Sequence, residues 1–102
     1  MKALVIYDSQ YGNTAQIAHA IGDGLAEGLG ASGSVHVVPV GKAHVDQLAG
    51  WDLLIVGGPT HGSHPSPPMR EFLGLIPDGA LTGIQVAAFD TRTDMETLSG
   101  AL

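Results

Sequence analysis

The sequence predicts an α/β fold built on a parallel sheet, and the prediction depends on the order and the spacing of its apolar segments. Short apolar runs, typical of strands buried on both faces, alternate along the chain with segments of helical periodicity. Strands that alternate with helices at this spacing are joined by right-handed crossovers, which leave the strands parallel. A chain of 102 residues forms one domain with a single core, so we expect one domain over residues 1–102.

Four strands and two main helices are expected along the chain. The strands are predicted at residues 2–7, 34–40, 52–56 and 84–89, and Pro39 places the second at a sheet edge because proline donates no ladder hydrogen bond. The first helix runs from Thr14 to a stop at Gly30. Its predicted apolar stripe consists of Ile17, Ala18, Ile21, Leu25 and Leu29. Three internal glycines at 22, 24 and 28 weaken this helix by up to about 1 kcal/mol each, so packing against the sheet must hold it.

The second half of the chain carries the other main helix. Pro68 lies near its predicted start and Pro77 at its end, with Met69 and Phe72 as expected core residues. Residues 57–68 are rich in Gly, Ser, His and Pro, so we expect an ordered loop without regular structure. A short polar helix is expected around residues 43–48, and Trp51 is interpreted as a packing residue.

Composition excludes several classes of function. Four basic residues against ten acidic ones give a net charge of −6, which disfavours nucleic-acid binding because phosphate affinity depends on clustered Lys and Arg. The absence of cysteine excludes disulfides, thiol chemistry, iron–sulfur ligation and thiolate zinc sites. No apolar run is long enough for a membrane helix and no signal peptide is recognised, so we expect a cytoplasmic protein.

Three segments of small and polar residues follow predicted strands, at residues 8–14, 59–68 and 90–94. Ligands of such sheets bind outside the carboxyl ends of the strands, so these segments predict one composite site. In the first segment, unpaired backbone N–H groups and the helix dipole favour an anion, and the hydroxyls of Ser9 and Thr14 add donors. This segment contains neither Gly-Lys-Ser/Thr nor G-x-G-x-x-G, which leaves a single terminal phosphate as the predicted ligand group. The alternative is a helix cap without a ligand.

The segment from Val5 to Ile21, VIYDSQYGNTAQIAHAI, resembles the flavodoxin signature, and Gly57 to Gly62 is similar to that family's second flavin loop. The resemblance implies a flavodoxin-like three-layer αβα fold with strand order 2-1-3-4 and FMN as cofactor. It implies that the FMN phosphate is held by Ser9, Gln10, Tyr11, Gly12, Asn13 and Thr14. It also implies that the flavin ring is covered by Pro59, Thr60, His61 and Gly62 and by the third loop of Asp90, Thr91 and Arg92.

The flavin loops depart from the family pattern in their aromatic residues. His61 and His64 occupy the second loop, where many flavodoxins place Trp or Tyr against the ring, and the third loop has no Tyr. Arg92 is interpreted either as a cation that stabilises an anionic reduced flavin or as a solvated residue. The two histidines have no third partner for a metal, and their titration near neutral pH suits tuning of the flavin.

By the same resemblance, a fifth strand and two further helices would follow the third loop, so the domain is expected to be incomplete at its C-terminus. The expectation is a truncated product or fragment, or else a natural short form completed by a homodimer mate or a partner chain.

Three functions remain open. The first is an FMN-binding redox module that carries electrons between partner proteins. The second is an NAD(P)H-dependent flavin or quinone reductase, and the third is a non-redox interaction domain with the same fold. A phosphoacceptor regulator is excluded because the third strand ends in Gly-Gly-Pro-Thr, with no aspartate to phosphorylate.

Overall fold

A computed structural model describes residues 1–8, 13–61, 64–77 and 79–91. The strands are β1 (Lys2–Tyr7), β2 (Ser34–Pro39), β3 (Leu53–His61), β4 (His64–Pro65) and β5 (Gln85–Thr91). The helices are α1 (Asn13–Leu29) and α2 (Pro67–Gly74), with short 3-10 turns at Gly30–Ser32, Val40–Lys42 and Val45–Gln47.

The parallel strands lie in the order β2-β1-β3-β5, and the two-residue β4 pairs antiparallel with the end of β3. Because β5 is the fourth of the predicted strands, the predicted order 2-1-3-4 is confirmed. The edge position of β2, which Pro39 predicted, is confirmed as well. Continuous burial of residues 3–6 explains why β1 is an uninterrupted apolar run: both of its faces are covered.

The core lies on the face of the sheet that α2 covers. Leu4 and Ile6 of β1 pack there with Leu54 and Val56 of β3. The remaining buried members of this cluster are Leu48, Met69 and Phe72. The core positions predicted for Met69 and Phe72 are therefore confirmed, and Trp51 packs against the same cluster as expected.

Helix α1 contacts β1 and β2, which makes it the layer opposite α2. It ends at Leu29, and Gly30 follows with a φ of 67°, so the predicted stop is confirmed. The predicted apolar stripe is wrong at Ile17, which is 42% exposed, whereas Ala18 is fully buried. Small residues mark the buried face because the helix lies close to the sheet: a Cβ at Gly22 would be 2.5 Å from Cγ2 of Val37.

The predicted loop over residues 57–68 is wrong for most of its length. Strand β3 continues to His61 because Gly58 and Pro59 pair with β5 and the last two residues pair with β4. Asp90 and Thr91 belong to β5 for the same reason, rather than to a loop. The pairing supplies backbone partners that the Gly- and Pro-rich composition does not reveal.

Two helical predictions also differ from the structure. The expected polar helix at 43–48 is replaced by the 3-10 turns at Val40–Lys42 and Val45–Gln47. Helix α2 has proline at its first positions, as predicted, but it ends at Gly74, before Pro77. In the described part of the chain, no helix is both long and apolar enough to cross a membrane.

Candidate functional site

The carboxyl ends of three parallel strands meet in register at one edge of the sheet. Gly57 lies between Tyr7 of β1 and Phe89 of β5, and the next residue, Gly58, pairs with Asp90. The N–H of Asp8 donates to the carbonyl oxygen of Gly57 at 3.0 Å, which ties the end of β1 to β3. This edge is where ligands of parallel α/β sheets bind.

Helix α1 begins at the same edge, five residues after Asp8. Its first backbone N–H groups have no partner within the helix, and its dipole makes this end positive. No acidic residue lies in the first turn to offset that potential, and Thr14 is 4% exposed. The start of α1 therefore favours an anion, as expected for a phosphate.

Two adjacent glycines, Gly57 and Gly58, allow neighbouring residues to approach the backbone of β3 closely. A methyl group at Gly57 would overlap the ring of Phe89, and one at Gly58 would lie 3.2 Å from the carbonyl oxygen of Asp8. The Phe89 ring thus covers Gly57, and the end of β1 approaches Gly58 closely. A larger residue at Gly57 would displace the Phe89 ring, and one at Gly58 would press against the backbone of Asp8.

The carboxylate of Asp8 carries a buried oxygen, Oδ2, that has no hydrogen-bond donor among the residues that the structure describes. A buried acceptor without a donor costs about 1–3 kcal/mol, so it favours a ligand that supplies an O–H or N–H. The oxygen is an acceptor, which suits a hydroxyl and not a phosphate. FMN has both groups: its phosphate suits the start of α1, and its ribityl hydroxyls suit Asp8.

An apolar cavity of about 280 Å³ adjoins these residues on the α2 side. Its lining includes Val56, Met69, Leu73, Ala88 and Phe89 together with the two glycines and Asp90. Apolar walls with a few polar groups are typical of sites for small molecules and cofactors. The residues present at this edge therefore fit a ligand with a phosphate, hydroxyls and an apolar ring.

The structure brings only part of the predicted site into view. Asn13 and Thr14 begin α1, and the backbones of Pro59, Thr60, His61, Asp90 and Thr91 lie at the ends of β3 and β5. The remaining predicted residues, Ser9, Gln10, Tyr11, Gly12, Gly62 and Arg92, lie outside the described residues. The side chains of His61 and His64 also lie outside the description, and no metal-binding group of three His, Cys, Asp or Glu is found among the residues that are described.

Sequence reasoning placed Asp8 and Gly58 in the segments of the predicted site but assigned neither a contact with the ligand, and it did not include Phe89. The position of Asp8 directly after the first strand is the signal that could have indicated its role. The contact of Phe89 with Gly57 depends on the register of β5 against β3, which the sequence does not give.

Comparison with known proteins shows the family. The family model described as Flavodoxin matches residues 5–90. The chain is 35% identical over 77 residues to the putative diflavin flavoprotein A 4 of Synechocystis sp., a match that covers 74% of this chain and 13% of that protein. It is 33% identical over 109 residues to an NAD(P)H dehydrogenase (quinone) of Geotalea daltonii, covering 81% of this chain and 53% of that one. The chain thus spans about half of the second relative and a small part of the first.

Two solved structures show the same fold. Rubredoxin oxygen:oxidoreductase from Desulfovibrio gigas superposes with a TM-score of 0.76 at 22% identity, over 89% of this chain and 23% of that one. A flavodoxin from the domain Archaea superposes with a TM-score of 0.69 at 22% identity, over 98% of this chain and 90% of that one. The family model, the strand order and the shared fold lead to one conclusion: the chain belongs to the flavodoxin family, whose cofactor is FMN.

Proposed function

We propose that this chain is an FMN-binding redox module that passes electrons between partner proteins. The observation that carries the proposal is the edge at which β1, β3 and β5 end in register beside the start of α1. That edge combines a positive helix end, an acceptor without a donor in the described part of the chain, and an apolar cavity, which match the three chemical parts of FMN.

The residues that would hold the phosphate are those at the start of α1. In the described part they are Asn13 and Thr14, through their backbone N–H groups and, at Thr14, also through the side-chain hydroxyl. We assign Ser9, Gln10, Tyr11 and Gly12 to the same role. Asp8 would accept a hydrogen bond from a ribityl hydroxyl through Oδ2.

The isoalloxazine ring would be held by the second and third segments. These comprise Pro59, Thr60, His61 and Gly62 after the paired part of β3, and Asp90, Thr91 and Arg92 at the end of β5. Bound FMN supplies the redox chemistry, and the protein positions the ring and shields it from water. Partner proteins would receive or deliver electrons at this edge.

Fluorescence titration of FMN with the 102-residue chain tests the proposal, with riboflavin as the ligand control. We expect saturable quenching with FMN and much weaker binding of riboflavin, because riboflavin lacks the phosphate.

Thr14→Val should weaken FMN binding about tenfold, the equivalent of ~1.4 kcal/mol. The matched control Thr82→Val removes an exposed hydroxyl away from the site and should bind FMN like the parent chain. A folded chain that does not bind FMN would refute the proposal and favour a non-redox interaction domain.

Asp8→Ala distinguishes hydrogen bonding from simple electrostatics. Loss of a negative charge near a phosphate would tighten FMN binding, whereas loss of a hydroxyl acceptor would weaken it. We expect weaker binding by about tenfold, with the exposed Asp23→Ala on α1 as the charge-matched control. Tighter binding in Asp8→Ala would contradict the role assigned to Oδ2.

The second candidate is an NAD(P)H-dependent quinone or flavin reductase. It is favoured by the 33% identity to a protein named NAD(P)H dehydrogenase (quinone). The test is steady-state consumption of NADPH by the FMN-loaded chain with a quinone present. Rapid turnover would support the reductase, and the absence of turnover alongside rapid flavin reduction by a partner protein would support the carrier. A turnover that appears only at higher protein concentration would indicate a homodimer.

A further inference from the structure

A second cavity, of about 410 Å³, lies on the β2 side of the sheet. It is lined by Lys2, Leu4, His36, Val38, Lys42, Ala43, His44, Ala49 and Trp51. Its volume is within the range of about 300–1,000 Å³ that is usual for small-molecule sites. It shares no lining residue with the cavity at the carboxyl edge.

The basic residues of this acidic protein are concentrated here. The chain has four Lys and Arg residues and five His at a net charge of −6, and two lysines and two histidines line this one cavity. No carboxylate is among the lining residues. Asp52 is nearby, and its Oδ2 accepts a hydrogen bond from the backbone N–H of Lys2. That bond is made by the backbone of Lys2 and not by its side-chain ammonium, so the cations of the lining favour an anion.

The wall of the cavity is aromatic as well as cationic. Nζ of Lys2 lies 4.7 Å from the centre of the Trp51 ring, and the ring of His36 meets Trp51 edge-on at 5.2 Å between centroids. A cation held over an indole at this distance forms a cation–π contact, which keeps the ammonium beside the ring. Buried Leu4 and half-buried Val38 and Ala43 provide apolar surface beside these charges.

The Lys2 end of this cavity is distant from the flavin edge. Lys2 begins β1, whereas Asp8 follows its last residue, so these two residues are at opposite ends of a six-residue strand. At about 3.3 Å per residue, their separation is roughly 20 Å. The cavity extends from Lys2 as far as Val38, which pairs with Ile6, so a ligand held between Lys2 and Trp51 would lie at the end of the cavity away from a flavin bound at the carboxyl edge.

We propose that this cavity binds a small aromatic anion, a planar ring that carries a carboxylate or a phosphate. The ring would pack against Trp51 and the apolar residues, and the anionic group would contact the ammonium groups of Lys2 and Lys42. The histidines add N–H donors at the rim, where both are exposed. The inference does not depend on FMN binding, because none of these residues belongs to the flavin site.

The experiment uses benzoate and phenyl phosphate as probes, with benzyl alcohol as the neutral control, on the full chain. Trp51 is the only tryptophan, so its emission reports binding at this cavity directly. Calorimetry gives the affinity independently. We expect saturable binding of at least one anion and binding of benzyl alcohol that is at least about tenfold weaker. Saturation by one anion alone identifies whether the site takes carboxylates or phosphates.

Substitutions locate the binding. Lys2→Gln combined with Lys42→Gln should weaken the anion by at least about tenfold. The control Arg70→Gln removes one positive charge from the exposed surface of α2, outside the cavity, and should leave the affinity unchanged. A phosphate probe that binds only at the start of α1 would be insensitive to the lysine variants, which would overturn the proposal. Failure of both anions to saturate, equal binding of benzyl alcohol, or equal weakening by Arg70→Gln would overturn it too.

Discussion

The three glycines inside α1 provide a test of how closely this helix lies against the sheet. Replacing glycine by alanine in a helix interior normally stabilises the fold by about 1 kcal/mol. An added Cβ at Gly24 or Gly28 would meet nothing within 4 Å, so both sites should show this gain. At Gly22 the Cβ would lie 2.5 Å from Cγ2 of Val37, closer than real Cβ contacts.

The magnitude follows from two opposing contributions. Gly22→Ala gains the same ~1 kcal/mol of helix propensity, but it forces extra volume between α1 and β2, which costs about 1–3 kcal/mol. The net effect is a loss of about 0–2 kcal/mol, whereas Gly24→Ala gains about 1 kcal/mol. For a domain of this size, 1 kcal/mol corresponds to a shift in Tm of about 4–8 °C. The Tm of Gly24→Ala should therefore rise by that amount while that of Gly22→Ala stays level or falls.

Urea denaturation and thermal melting followed by circular dichroism measure both quantities. Gly28→Ala serves as a second exposed control. Val37→Ala in the Gly22→Ala background should recover stability relative to the sum of the single changes, because it removes the methyl group that the new Cβ meets. If Gly22→Ala stabilises the chain as much as Gly24→Ala does, α1 does not lie this close to β2 and the reasoning is wrong.

Three other substitutions test the core and the site. Ile6→Ala, at a fully buried position, should lower the free energy of unfolding in urea by about 2–5 kcal/mol, and a smaller loss would mean a looser core. Ser66→Ala should be nearly neutral in the same assay, because Ser66 precedes α2 with a buried Oγ that makes no hydrogen bond to any described residue; a loss of a full kcal/mol would reveal a capping bond. Gly57→Ala should cost about 1–3 kcal/mol, since the new methyl group displaces the Phe89 ring, and unchanged melting would contradict that contact.

Local signals in the sequence were sufficient for much of the fold. The unbroken apolar run of β1 predicted a strand buried on both faces, and Gly30 predicted the end of α1, because each depends on residues close by in the chain. The order of the parallel strands came from the resemblance to the flavodoxin family rather than from periodicity. Its confirmation shows that the signature around residues 5–21 identified the fold correctly.

Features set by distant pairing were not predictable from local composition. Gly58 and Pro59 have the composition of a loop, yet the register of β5 extends β3 through them. The buried face of α1 was misread at Ile17 because the helix approaches the sheet through small residues, which contribute little to an apolar stripe. The lack of a donor for Asp8 Oδ2 among the described residues likewise depends on which groups surround it in the folded chain.

The hydrogen bond from Asp8 to the carbonyl of Gly57 has a consequence for binding energetics. Asp8 directly precedes the residues assigned to the phosphate, and Gly57 lies in β3, which leads to the residues assigned to the flavin ring. A shift of one backbone therefore displaces the other. The binding of one part of the cofactor, the phosphate or the flavin, should therefore change the affinity for the other part. Inorganic phosphate bound at the start of α1 should increase the affinity for a flavin that lacks the phosphate, and each ligand should enhance the other by the same factor.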